Sequence, residues 1–137
     1  MIDRFKDDHA FLSNFYRVHV TLDGVVYPSV ENAYMAAKTL DTEQRRAFET
    51  CSASEAKAMG RLLQLRPDWE EVKLDVMKKL LIEKFEYEHM KEKLLATKGH
   101  ELVEGNFWGD TFYGVCNGVG QNHLGRMLME IRDNISE

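Results

Sequence analysis

The chain of 137 residues holds only 2 cysteines and 2 prolines, and the scarcity of cysteine already narrows the classes open to it. Cys51 and Cys116 stand far apart with no CxxC spacing, so neither a disulfide framework nor a cysteine zinc site is expected, and both thiols should be reduced and partly buried. The histidines, His9, His19, His89, His100 and His123, are scattered without an i, i+4 pair around a glutamate. That excludes the usual helical histidine metal motif, and we expect neither metal nor cofactor. Long apolar runs are missing too: nothing approaches the roughly 20 residues of a membrane span, and the segment Met1 to Asp8 lacks the apolar core of a secretory signal. A cytoplasmic protein without a membrane partner is the expectation. Repeats, low-complexity tracts and linkers are absent. Positive charge is in deficit, 18 Lys and Arg against 23 Asp and Glu, giving a net charge of −5. This excludes broad charge-driven binding to nucleic acid and leaves room for a pocket that reads one nucleotide.

What is present is the apolar content of an ordinary core, 44% hydrophobic residues, enough at this length for one globular domain over residues 1–137. From Tyr16 to Tyr27 aromatic and β-branched residues alternate around Asp23-Gly24, a hairpin signal, with Phe11-Leu12-Ser13-Asn14-Phe15 ahead of it. After Pro28 the period changes: Ser29 is an N-cap candidate, and Val30, Ala33, Ala37 and Leu40 form a narrow stripe that lets another backbone pack close. A helix is predicted over about 43–50, and Ser52-Ala53-Ser54-Glu55 has the spacing of a capping box for a short helix ending near Arg61. Asp68 is the expected cap of the longest helix, with Val72, Val76, Leu80 and Lys84 on one side and Trp69, Met77 and Leu81 flanking them. One further helix, His89 to Thr97, should stop at Gly99, followed by a short strand at Leu102-Val103. The fold class expected is mainly α: a compact single-domain helical fold with a small N-terminal β-hairpin.

The C-terminal stretch carries the densest chemistry. Phe107-Trp108-Gly109-Asp110 leads through Gly114, Gly118 and Gly120 into a helix beginning near Asn122, with apolar positions Leu124, Met127, Leu128, Ile131 and Ile135. A glycine-rich loop beside the positive end of a helix dipole suits an anion such as a phosphate, with Trp108 and Asp110 placed to meet the rest of a ligand. The plainer alternative is that the glycines make turns and Asn122 caps the helix. On the helix after Ser29, the positions of Glu31, Tyr34 or Met35, and Lys38 put a carboxylate and an ammonium on one face beside the alanine stripe. Alone, the pair also fits two solvated charges worth a few tenths of a kcal/mol. Its company, Ser13-Asn14 and Trp108-Gly109-Asp110, supplies a second carboxylate from a separate element. Two carboxylates, one held protonated and one ionised, are the equipment for cleaving a glycosidic bond through an oxocarbenium-like state.

Taken in order, Phe11-Leu12-Ser13-Asn14-Phe15, Tyr27-Pro28-Ser29-Val30-Glu31-Asn32-Ala33-Tyr34 with Ala37-Lys38, Ala56-Lys57, Gly60-Arg61, Asp68-Trp69, Lys84-Phe85, Trp108-Gly109-Asp110, Asn122, Leu124-Gly125 and Leu128 to Arg132 resemble the signature of the NADAR family over nearly the whole chain. The resemblance implies a mainly helical hydrolase that cuts an N-glycosidic bond between a ribose, ribose phosphate or ADP-ribose and a base or amine. ADP-ribosylated guanine and early pyrimidine intermediates of riboflavin synthesis are the implied substrates, with ADP-ribosylated nucleic acid as a further partner. It places catalytic roles on Glu31, Lys38 and Asp110. Substrate contacts are expected at Ser13, Asn14, Tyr34, Arg61, Trp69, Trp108, Gly109, Gly118, Gly120 and Asn122. Met35 stands where many relatives have glutamine. Either Asp110 or Glu31 would protonate or orient the leaving base while the other supports the ribosyl cation or activates water. Lys38 would either attack the anomeric carbon through an imine or hold a phosphate. The rival function is a non-catalytic module that binds ADP-ribose or an NAD derivative.

Overall fold

The computed structural model describes residues 1–135, so the end of the expected 1–137 domain lies outside the described residues. The chain forms two compact units, one of residues 14–87 and one of residues 1–13 with 88 onward. Seven helices occur among the described residues, one of them a 3-10 turn, together with one antiparallel hairpin. That bears out the expectation of a mainly helical chain with a small N-terminal hairpin.

In the unit of residues 14–87, β1 (Arg17–Leu22) and β2 (Val25–Ser29) pair antiparallel, with Leu22 opposite Val25 and Val20 opposite Tyr27. The tip is Asp23-Gly24, with φ of 49° and 83°, as a two-residue turn following the strand twist requires. β2 continues through Pro28 to Ser29, two residues past the predicted end. Ser29 then caps α1 (Val30–Ala37): its hydroxyl accepts from the Asn32 amide at 3.1 Å and donates to the Asn32 Oδ1 at 2.5 Å. The Asn32 side chain in turn donates to the carbonyls of Phe48 and Cys51, locking the first turn. α1 departs from the narrow stripe predicted for it, because all eight of its residues are buried. Leu40 falls beyond its end and is 60% exposed.

The predicted 43–50 helix is shorter, α2 (Thr42–Arg46), capped by Asp41. The Arg45 side chain turns to the Thr39 carbonyl and to Asp23, and the chain continues as tight turns through Phe48 and Glu49. α3 (Ala53–Gly60) starts on the capping box of Ser52 and Glu55 as predicted. α4 (Trp69–Lys84) starts where predicted, but Asp68 does not cap it: its carboxylate is held by the Arg66 guanidinium in a two-pronged pair at 2.6 and 3.0 Å. Bidentate pairing of this kind outcompetes a single backbone amide. The buried seam of α4 is Trp69, Met77, Leu80, Leu81 and Lys84, with Val72 and Val76 only half-buried.

In the other unit a 3-10 turn (Asp7–Leu12) precedes α5 (Glu88–Leu95), which starts one residue before and ends two residues before the predicted bounds. The expected strand at Leu102-Val103 is a single parallel bridge between Leu102 and Ile2, with the Val103 amide on the Ile2 carbonyl at 2.8 Å. β3 (Gly105–Asn106) pairs parallel with β4 (Val115–Cys116). α6 (His123–Asn134) buries Leu124, Leu128 and Ile131, and buried Arg132 donates to the carbonyls of Thr97 and His100, tying this helix to the segment after α5.

Candidate active site

In the unit of residues 14–87, Glu31 occupies the first turn of α1 and is only 8% exposed. Its amide donates to the Asn14 carbonyl at 3.0 Å, which draws the segment ahead of β1 against the start of the helix. The Asn14 side chain touches the Met77 sulfur through Nδ2 at 3.6 Å, and its Oδ1 is buried with no hydrogen-bond partner among the described residues. Burying an acceptor without a partner costs about 1–3 kcal/mol. Tyr34 and Trp69 meet with ring centroids 5.1 Å apart and planes inclined by 56°, both nearly buried. Trp69 therefore belongs to a packed aromatic pair between α1 and α4.

Lys38 is the C-cap of α1, half-buried. Burial pushes its ammonium below the ordinary lysine range, the Glu31 carboxylate pulls it back up, and cationic Arg61 and Lys73 push it down again. An amine so placed is cationic enough to hold an anion and closer than a surface lysine to being a nucleophile. Arg61 caps the C-terminus of α3 and is exposed. Five sequence-predicted residues, Asn14, Glu31, Tyr34, Lys38 and Trp69, lie on α1 or against it in this unit, and the charge of Arg61 reaches Lys38.

The other unit gathers the rest. Ser13 closes the 3-10 turn, its amide donating to the Ala10 carbonyl at 2.9 Å. Trp108 is 50% exposed and stands edge-on to the still more exposed Phe107 at 5.2 Å. Asp110 is a loop organiser: its Oδ1 accepts from the amides of Phe112 and Tyr113, both at 3.0 Å, while its own amide and carbonyl are held by the Asn106 side chain.

The idea that the loop offers free amides beside the α6 terminus needs correcting. The amides of Gln121, Asn122, His123 and Leu124 donate to the carbonyls of Thr111, Gly114, Phe112 and Tyr113, so the loop itself takes the donors an anion would need. The alternative of Asn122 as a cap fails as well. Asn122 lies in the left-handed region, and its side chain instead joins the Leu102 carbonyl to the Glu104 amide at 3.0 Å each. Gly109 and Gly118 are left-handed turn residues in open space. Gly120 differs, because with φ of 156° any Cβ would run into the Gly114 carbonyl. Gly120→Val is therefore expected to destabilise the protein by about 2 kcal/mol or more through the loop, and Asp110→Ala to do so more than Asp110→Asn, which keeps the accepting Oδ1. Thermal melts of the three variants check this, and an unchanged melting temperature in Gly120→Val would contradict it.

Sequence reading missed two lysines. Lys84, read as one member of a helix side, is fully buried at the end of α4, with its ammonium 5.2 Å from the centre of the Phe85 ring and 5.9 Å from that of Tyr16. Burial brings its pKa down to about 7. The signal available was a lysine in phase with Leu80 and Leu81 on an apolar seam. Lys73 was not singled out in the sequence; its side chain is only 18% exposed and pairs with Glu70 at 2.9 Å.

A family model described as the NADAR domain matches residues 2–136. N-glycosidase YbiA of Escherichia coli is 37% identical over 139 residues, which cover 96% of this chain and 84% of that protein. The riboflavin biosynthesis protein VVA0006 of Vibrio vulnificus is 35% identical over 96% of this chain, although the chain spans only 37% of that longer protein. The NMR structure of the E. coli protein YbiA superposes with a TM-score of 0.83 at 36% identity, covering 97% of this chain and 85% of that chain. The chain belongs to the NADAR domain family. By the same relationships it is an enzyme of the N-glycosidase type.

Proposed function

We propose that this chain is a single-domain hydrolase that cleaves the N-glycosidic bond between a ribosyl group and a nitrogen base, with Glu31 as the proton-transferring carboxylate. The observation that carries this reading is the buried Glu31 carboxylate on α1 acting electrostatically on half-buried Lys38, with the Asn14 backbone held against the helix start. In the reaction the bond from the anomeric carbon to nitrogen breaks, a water oxygen bonds to that carbon, and a proton reaches the departing nitrogen. Glu31 handles the proton, and the positive charge that develops on the ribosyl group is favoured by a nearby carboxylate. Asp110, whose Oδ1 is engaged by loop amides, is assigned the task of holding the loop that presents Trp108.

Two substrate classes are proposed. One is a ribosylamino-pyrimidine phosphate, favoured by the riboflavin biosynthesis relative, and the other is ADP-ribosyl guanine. Incubation with each, followed by mass spectrometry of the released base, tests the reading; release from neither would leave a binding module. The two roles of Lys38 separate under borohydride. If its amine attacks the anomeric carbon, the base leaves, the sugar opens to an imine, and reduction fixes a sugar adduct on Lys38. We expect no adduct and a raised KM in Lys38→Ala, the behaviour of a charge that holds an anion; a trapped peptide carrying Lys38 would reverse that assignment.

A further inference from the structure

Three helix ends bring three cations to one place in the unit of residues 14–87. Lys38 caps the end of α1, Arg61 caps the end of α3, and Lys73 lies one turn after Trp69 on α4. α1 packs against both other helices: the Met35 sulfur fills the space beside Gly60 at the end of α3, and the Tyr34 ring meets that of Trp69 at 5.1 Å. Arg61 and Lys73 are also the two cations whose fields reach Lys38. Arg61 makes no ion pair among the described residues, while Lys73 is held by Glu70, which is itself 76% exposed. The negative ends of the α1 and α3 dipoles lessen the repulsion among these charges.

We infer that Lys73 is a substrate-binding residue of the active site: with Lys38 and Arg61 it receives a phosphate of the substrate, and Glu70 holds it ready and is displaced from it by that anion. The identity of the substrate rests on the N-glycosidase reading, whereas the binding of the anion does not. The geometry favours this because the Lys73 stem is packed and its ammonium is already oriented, so little side-chain freedom is lost when a phosphate replaces the exposed Glu70.

Calorimetric titration of inorganic phosphate, ribose 5-phosphate, ADP-ribose and plain ribose against the full chain and its variants tests the inference. Lys73→Met, which keeps the packed stem, is expected to weaken ribose 5-phosphate binding about tenfold, the loss of one charge-assisted contact. Lys73→Arg should restore most of it, and Glu70→Gln should tighten it about threefold by removing the competing carboxylate. In turnover the loss should fall on KM for the phosphorylated substrate rather than on kcat. Lys73-dependent binding of ribose 5-phosphate or of ADP-ribose supports the proposal, and the tighter of the two names the source of the phosphate. Equal ribose 5-phosphate affinity in wild type and Lys73→Met would overturn it, as would an equal loss for plain ribose. Lys73-dependent phosphate binding by a protein that hydrolyses no N-riboside would sink the enzymatic reading and leave the anion site standing; hydrolysis indifferent to Lys73 would do the reverse.

Discussion

Glu31→Gln is expected to lower kcat by about 10³-fold, within the range removed with a positioned acid or base, while the melting temperature moves by only a few degrees. Glutamine has the same shape and can hydrogen-bond, but it cannot exchange a proton near neutral pH. Glu31 sits in the first turn of α1, fastened by its backbone to Asn14 and by the Ser29–Asn32 cap below it, so the substituted side chain should keep its place. A second effect accompanies the first. The Glu31 carboxylate is the group that raises the Lys38 pKa against burial and against Arg61 and Lys73, so its removal lets the Lys38 ammonium titrate at lower pH. Substrate affinity in Glu31→Gln should consequently fall off at lower pH on the alkaline side than in wild type. Steady-state rates across pH measure both effects, and a variant within tenfold of wild type would take Glu31 out of the chemistry.

The second large effect belongs to Lys84. In the folded chain burial holds its pKa at about 7, against 10.5 for an ordinary lysine. Between those values the unfolded chain binds the proton and the folded chain does not, so stability rises as pH rises through this window; it is flat below, where both states are charged, and flat above, where both are neutral. The slope approaches about 1.4 kcal/mol per pH unit in mid-window. Lys84→Met fills the same slot beside Tyr16 and Phe85 without a charge, and the slope should become shallower, leaving the share that comes from Lys38. Denaturant unfolding at several pH values from 6 to 10 reads this directly. An identical slope in wild type and Lys84→Met would place the origin of the pH dependence elsewhere.

Most local punctuation of the fold was legible in the sequence because it depends on neighbours in the chain. Asp23-Gly24 forms the predicted turn since both residues accept positive φ, and Ser52 with Glu55 forms the predicted box since the two groups satisfy each other within one helical turn. Local reading failed where a distant or stronger partner was available. Arg66 took the Asp68 carboxylate away from the α4 terminus, and Leu102 and Glu104 took the Asn122 side chain away from α6. α1 looked amphipathic with a narrow stripe, yet its neighbours β1, β2, α2, α3 and α4 leave none of its faces open.

The same division holds for the site. Family membership, the carboxylate and lysine spaced along one helix and the residues quoted with them were readable in order along the chain, because i, i+4 and i, i+7 spacing alone decides which side chains share a helix face. What only the tertiary structure decided is which charges share a low-dielectric neighbourhood. Lys38 and Arg61 lie on different helices from Lys73, and no spacing rule relates them; packing of α3 and α4 against α1 does. Burial likewise separates Lys84, whose amine titrates near neutrality, from lysines of the same α4 helix such as Lys79 that remain in water. The glycine loop makes the point in reverse: its composition suggested free amides for an anion, and the fold gave those amides to carbonyls of the loop itself, since a buried backbone donor without a partner is more costly than an unoccupied ligand site.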